Sequence, residues 1–301
     1  MTTKIILNPY AGRWLAQSKK DELEAALREA GIDFDLEITS GPGNAIELAQ
    51  QAVSQGFNPV IAAGGDGTYS EVVNGIASAN GNDGSVAFGV IPLGSANDLV
   101  DNLNLPKEIP AAVQIIADGH TRMMDLCKVN DRYFDNNAAI GLEPYITLIQ
   151  QRIKRLKGSF RYLTATLLGV KDKPQWDMSL EWEGGQYKGP VTLVTVGNSP
   201  RTGGIFYMTP HADPFDGLLT FVYGFMPTRR KILSLLPKTT NPGEGSYVEH
   251  PDIHEISSPW LKVSSVQPTP AHADGVIFSE NIHDLEYRVI PQSLPILMPN
   301  N

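Results

Sequence analysis

Pro59-Val60-Ile61-Ala62-Ala63-Gly64-Gly65-Asp66-Gly67-Thr68 is an apolar run that passes without a spacer into a glycine-rich turn, and a helical pattern over 69–79 follows it. A strand apolar on every residue is one covered on both faces, and a strand that turns directly into a helix is the start of a β-α-β unit. The glycines let the backbone approach a ligand closely and present N–H groups at the positive end of a helix, which makes the turn a phosphate cradle. Asp66 has the wrong charge for a phosphate unless it acts through a cation or bonds a hydroxyl, a pattern that points to a magnesium nucleotide. In isolation such a turn arises about as readily from tight packing.

The same grammar recurs on either side. Upstream, 4–7 reads as a strand that stops at Asn8-Pro9. Ser18 then caps a helix whose Leu23, Ala26, Leu27 and Ala30 recur at three- and four-residue spacing up to Gly31. A second strand is expected over 33–39 and a helix over about 44–55. Downstream, 86–91 is another buried strand, running into Gly94-Ser95-Ala96-Asn97-Asp98 and a short helix. Strand ends of a doubly wound, mostly parallel sheet share one carboxyl edge, where ligands bind. The turn after Asn8, Thr39, the loop at 64–68 and the loop at 94–98 therefore converge there. Neither GxxxxGK[ST] nor GxGxxG is present, so this cradle is of another kind.

Composition sets the outer bounds. The chain has 301 residues, 42% of them apolar and 19% charged, enough for one large or two medium domains with a sizeable core. A net charge of −9 argues against a general nucleic-acid binder. Cys127 is the only cysteine, which removes any intrachain disulfide or thiolate zinc site and suits a reducing compartment, so a cytoplasmic protein is expected. No signal-peptide pattern opens the chain, and no apolar run reaches the roughly 18 residues of a membrane span, so any membrane contact is expected to be peripheral.

From about residue 126 the texture turns to β-type segments at 126–130, 178–183, 191–196, 218–224, 260–266 and 285–290, interrupted by a helical stretch over about 144–170. We expect an α/β domain over 1–127, a β-rich antiparallel sandwich or barrel over 128–293, and a tail over 294–301 that is free to return to the first domain. Arg152, Lys154, Arg155, Lys157 and Arg161 form a basic run in a net-negative chain. It reads either as a solvated helix face or as a patch for an anionic membrane. His250 and His254 are expected in a loop or turn without a role, His272 at the surface, and Cys127 as a small buried residue.

Taken together, Asn8-Pro9-x-Ala11-Gly12, Gly64-Gly65-Asp66-Gly67-Thr68, Pro92-Leu93-Gly94-Ser95-Ala96-Asn97-Asp98, Asp125, Gly158-Ser159-Phe160-Arg161-Tyr162, Gly197-Asn198 and Asp213-x-x-Asp216-Gly217 stand in an order similar to that of the diacylglycerol kinase catalytic-domain family. The resemblance is to soluble bacterial lipid kinases of the YegS and DgkB type and covers nearly the whole chain. It implies an ATP- and magnesium-dependent lipid kinase with a nucleotide-binding α/β domain followed by a β-rich domain.

Carried onto this sequence, the resemblance puts ATP against Asn8, Pro9, Gly12, Thr39, Gly64 to Thr68, Glu71, Gly94, Ser95 and Asn97, and makes Asp66, Asp98 and Asp125 acids of the active site. Asp213, Asp216 and the carbonyl of Leu218 match a supporting magnesium site, and oxygen-only donors suit that hard cation. It also implies transient peripheral contact with a lipid surface and leaves a homodimer open. The departure is Asp274-Gly275-Val276, where the family has a glutamate in the third place as general base. Asp274 or Glu280 takes over, positioning and electrostatics suffice for a loose phosphoryl-transfer transition state, or turnover is weak and the protein chiefly binds nucleotide and lipid. A soluble-substrate kinase related to NAD kinase is the remaining alternative.

Overall fold

The computed structural model describes residues 2–80, 84–153, 158–172 and 175–300, with backbone only at 80 and 158–163. Two compact units share the chain. The first comprises Met1–Leu126, Tyr133–Asp135 and Ile290–Asn301, and the second Cys127–Arg132 and Asn136–Val289. There is thus no single cut near 127. Residues 133–135 join the first unit, and the returning tail begins at Ile290 rather than 294.

In the first unit β1 (Thr3–Leu7), α1 (Ala11–Ser18), α2 (Lys20–Glu29), β2 (Phe34–Ile38), α3 (Asn44–Ser54), β3 (Val60–Gly64), α4 (Asp66–Asn80), β4 (Phe88–Pro92), α5 (Asp98–Asn102) and α6 (Ile109–Asp118) follow one another. The strands pair in parallel in the order β2-β1-β3-β4. β1, β3 and β4 are buried at every position, the condition their apolar runs require. Ile5, Leu7, Ile61, Ala63 and Ile91 from the sheet pack with Leu23 and Leu27 of α2 and with Ile109, Val113 and Ile116 of α6. Each of these Ile, Leu and Val side chains contributes about 1.5–3 kcal/mol on burial.

Helix α2 starts later than the cap reading expects. Gly12, Arg13 and Trp14 take left-handed φ of 60°, 60° and 76°, so the chain coils before it becomes helical. The Ser18 hydroxyl donates to the Leu15 carbonyl instead of capping α2. Helix α4, conversely, begins at Asp66 and takes the glycine-rich turn into its first turn. Helix α6 escaped the pattern reading, although Ile109, Ala112, Val113 and Ile116 keep helical spacing.

β5 (Thr121–Val129) runs from the first unit into the second, and β6 (Arg132–Phe134) follows it. The second unit adds β7 (Asn137–Gly141), α7 (Leu142–Arg152), α8 (Gly158–Asp172), β8 (Trp176–Trp182), β9 (Gly185–Val191) and β10 (Leu193–Gly197). It continues with the short pair β11 (Arg201–Thr202) and β12 (Phe206–Tyr207), then β13 (Leu219–Gly224), α9 (Arg229–Leu235), β14 (Ile253–Ser258), β15 (Trp260–Ala273) and β16 (Val276–Leu297). The order β14-β13-β10-β7-β15 is antiparallel throughout, as are β15 with β16 and β8, and β8 with β9. This is the β-rich antiparallel architecture expected after the α/β domain.

The end of β16 belongs to the first unit, where Ile296 pairs in parallel with Phe88. Leu297 joins that unit's core. Gly89 is what makes room for it, because a Cβ there would lie 2.6 Å from Ile61 Cδ1 and 2.8 Å from Leu297 Cδ1. Among the described residues no helix is long and apolar enough to cross a membrane.

Candidate active site

In the first unit β2 and β3 lie on opposite sides of β1, so the carboxyl ends of β1 and β3 flank the position where the sheet order reverses. Asn8 leaves β1 at that position. Its amide nitrogen donates to the Thr68 hydroxyl at 3.0 Å, and its Oδ1 accepts from the Tyr10 amide at 3.0 Å. The turn after β1 is thereby fastened to the first turn of α4. Gly12 closes the turn with a φ of +60°, and a Cβ there would meet the Leu93 carbonyl at 2.7 Å.

The loop after β3 and the loop after β4 touch backbone to backbone. A Cβ on Gly94 would lie 2.5 Å from Gly65 Cα, and one on Gly65 would lie 2.9 Å from Gly94 Cα. Three donor groups hold this approach. The Leu93 amide donates to the Gly64 carbonyl at 2.6 Å, and the Gly94 amide donates to Asn97 Oδ1 at 3.1 Å. The buried Tyr69 hydroxyl stands 3.0 Å from the Gly64 carbonyl and 3.2 Å from Asn97 Oδ1. Asn97 sits in the left-handed region at φ 52°, which asparagine tolerates better than most residues.

Asp66 heads α4 beside this contact and accepts from the Leu99 amide at 3.4 Å. Burial raises its carboxyl above the usual range, while the amides of residues 97 to 99 and its own pull it back down. Burial also pushes the Tyr69 phenol well up, helped by the charges of Asp66 and Asp135. Asp135 is a buried acid that sequence reasoning missed. It follows Tyr133, whose backbone amide and carbonyl both bond the Asn74 side chain of α4.

The remaining expected residues of this unit fall into place as follows. Ser95 is exposed and Pro9 buried. Asp98 is buried at the start of α5. Thr39 is buried, and its amide donates to the Leu7 carbonyl at the edge between β1 and β2. Glu71 accepts from the Gly43 and Ala45 amides at 2.9 and 3.2 Å, which fastens the start of α3 to α4. Asp125 is wholly buried, and its Oδ1 accepts from the Gln292 amide at 2.7 Å. Gln292 is itself left-handed at φ 49°, so Asp125 holds the returning tail. We therefore expect Asp125→Ala to cost about 1–3 kcal/mol in urea unfolding. Asp125→Asn, which keeps an acceptor, should recover most of that loss.

The second unit has its own polar centre. Asp274 and Gly275 form a two-residue hairpin turn between β15 and β16 with φ of 45° and 74°. Asp274 Oδ1 accepts from the Asn136 and Asn137 amides, both at 3.1 Å, and its own amide donates to the Asn137 carbonyl at 2.7 Å. Asn137 Nδ2 donates to Glu143 Oε1 at 3.2 Å, and the same oxygen lies 3.1 Å from His272 Nε2. Asn137 Oδ1 accepts from the Thr202 hydroxyl at 3.0 Å.

Burial would raise the Glu143 carboxyl, but the imidazole and its hydrogen-bond donors hold it below the usual range. Its charge adds to the burial that raises the phenols of Tyr247 and Tyr287. His272, expected at the surface, is buried because β15 pairs with β7 there, opposite Ala139. Its position two residues before Asp274 on a β-strand was the available signal. His254 lies in β14 rather than in a loop, and Cys127 is buried.

Residues 2–129 match the diacylglycerol kinase catalytic domain, and residues 136–298 match the YegS C-terminal NAD kinase beta sandwich-like domain. A diacylglycerol kinase of Staphylococcus haemolyticus is 30% identical over 276 residues, covering 90% of this chain and 81% of that protein. The chain belongs to the diacylglycerol kinase catalytic-domain family. A second relative, the diacylglycerol kinase of Staphylococcus carnosus, is 29% identical over 273 residues, covering 90% of this chain and 87% of its own. The fold is similar to the crystal structure of a diacylglycerol kinase from Bacillus anthracis, with a TM-score of 0.75 at 20% identity, over 99% of this chain and 97% of that one.

Two further features of the family reading are placed in part. Asp213 and Asp216 are exposed and open two tight turns, accepting from the Phe215 amide at 3.0 Å and the Leu218 amide at 2.8 Å. Their oxygens with the Leu218 carbonyl are a donor set that fits a hard cation such as magnesium. Among the described residues no group of three or more His, Cys, Asp or Glu side chains is placed to hold a metal. Arg152 is exposed at the end of α7, while Lys154, Arg155, Lys157 and the Arg161 side chain lie outside the described residues. Val276 is 48% exposed beside the Asp274 turn, and Glu280 is exposed farther along β16.

Proposed function

We propose that this chain transfers the γ-phosphate of MgATP to the hydroxyl of a lipid, with diacylglycerol the class of acceptor. The observation that carries the reading is the contact of Gly65 with Gly94, which sets two backbone-lined loops side by side with Asp66 at the head of α4. The names of the two staphylococcal relatives support it.

In this reading the backbone amides of the loops at 64–68 and 94–97 bind the phosphates and offset charge that develops on the transferred group. Asn8 and Thr68 fix the turn after β1 against that cradle. Asp66 orients the acceptor hydroxyl or the cation. Magnesium, when bound, neutralises phosphate charge, and Asp66 supplies a hard oxygen for it. Asp213, Asp216 and the Leu218 carbonyl would hold a second, supporting cation. Asp98 and Asp125 shape the acidic surroundings. The basic run that begins at Arg152 brings the enzyme to an anionic lipid surface.

Labelled MgATP offered with a panel of lipids in mixed micelles tests this. Label in the lipid phase identifies the acceptor; no labelled lipid from protein that binds MgATP overturns the reading. A Val276→Glu variant in the same assay restores the family's carboxylate at an exposed position, where it costs little stability. We expect transfer to rise about tenfold, less than the 10²–10⁴ a general base supplies elsewhere, because a loose transition state needs little base help.

A further inference from the structure

We propose that Glu143 and His272 are positioning residues for the Asp274-Gly275 turn, which they hold through Asn137. The inference deepens the kinase reading and rests on it for its catalytic consequence.

One carboxylate oxygen ties β15, which leads into the turn, to its neighbour β7. Glu143 Oε1 is bonded to His272 on β15, two residues before Asp274, and to the Asn137 side chain at the start of β7. Asn137 in turn grips Asp274 from both sides through its backbone, donating to Oδ1 and accepting the Asp274 amide. The Thr202 hydroxyl takes the other end of the Asn137 side chain, so its amide plane is fixed. The strand register places His272 opposite Ala139 and Ala273 opposite Ala138, directly below the turn.

Asp-Gly is a favoured pair for a turn with positive φ at both central residues, so the turn's backbone needs no propping, and what remains to be fixed is the aim of the Asp274 carboxylate. Stability alone does not account for the pair. His272 Nδ1 is buried without a hydrogen-bond partner among the described residues. A buried polar pair with one atom left unsatisfied is poor stabilisation. What it does supply is a fixed geometry for the carboxylate at 274, next to the position where the family carries its base.

The test uses the full-length protein with Glu143→Gln, His272→Ala and His272→Gln, the last keeping an amide able to reach the carboxylate. Amide hydrogen exchange at Asn136 and Asn137, read by NMR, should speed up at least tenfold in Glu143→Gln and His272→Ala and return most of the way in His272→Gln. In the lipid-phosphorylation assay the first two should lose about tenfold in kcat with KM for ATP within twofold. Unchanged exchange in both folded variants would overturn the proposal, as would faster exchange with kcat intact in an active parent. A parent that phosphorylates no lipid would instead count against the kinase reading, and exchange would still decide whether the pair holds the turn.

Discussion

Gly94→Ala should disable the nucleotide site while Gly67→Ala, three residues from Gly64 in the same cradle, should leave the fold intact. The added methyl at 94 would stand 2.5 Å from Gly65 Cα and 2.6 Å from Asn97 Oδ1, and both neighbours are held. Gly65 is backbone at the mouth of α4, and Asn97 is bonded to the Gly94 amide and Tyr69. The two loops must therefore separate. Overpacking of this kind costs about 1–3 kcal/mol, so urea unfolding should shift by that amount. MgATP affinity should fall at least tenfold, about 1.4 kcal/mol or more, since the amides of both loops lose their common aim. At Gly67 a Cβ meets nothing within 4 Å, and alanine is favoured over glycine in a helix by up to about 1 kcal/mol. Equal stability of Gly94→Ala and the parent would show that the two loops do not press on each other in solution.

Asp66→Asn should abolish transfer, by at least about a hundredfold in kcat, and yet raise the melting temperature. The substitution keeps size and an acceptor oxygen for the Leu99 amide but removes the charge. Burial raises the Asp66 carboxyl above its ordinary 3.8, so the ionised form is the one the fold disfavours. The sign follows directly. Above the raised value the buried charge weighs against the native state, and this handicap fades as pH falls toward 3.8 and the group takes up a proton. Neutral asparagine removes the handicap at every pH. If transfer needs the carboxylate, kcat/KM of the parent has an acid limb centred above 3.8, and residual activity of the variant lacks it. A variant that is both inactive and less stable than the parent would mean that Asp66 is chiefly a structural acceptor.

The carboxyl edge of the parallel sheet was legible in the sequence because its signals are local. Apolar runs at 59–63 and 86–91 declare two-faced burial, and the glycines that follow them are needed wherever two backbones meet. What stayed hidden depends on partners far along the chain. Asp125 acts on an amide 167 residues away, and Glu143 meets His272 across 129 residues. No periodicity reports such a pairing. Strand β14, Ile253-His254-Glu255-Ile256-Ser257-Ser258, was missed because it pairs with one neighbour in the sheet path and carries polar residues that alternation did not flag. The cap expected at Ser18 failed because Ser18 ends α1, where its hydroxyl donates back to the Leu15 carbonyl, and Lys19 is left as the residue before α2. His272 was misplaced for a related reason. A polar residue next to a turn looks solvated until the register with β7 buries it.

The return of residues 290–301 to the first unit has a consequence for how the molecule is made. Ile296 beside Phe88 and Leu297 against Ile61 are parts of the first unit's core, and in the chain they come after the whole of the second unit. The first domain in sequence is thus the last to be completed. Until those residues emerge, the loops at Gly65 and Gly94 rest on a sheet lacking its outer parallel partner, so the first unit is completed only after the second has been translated.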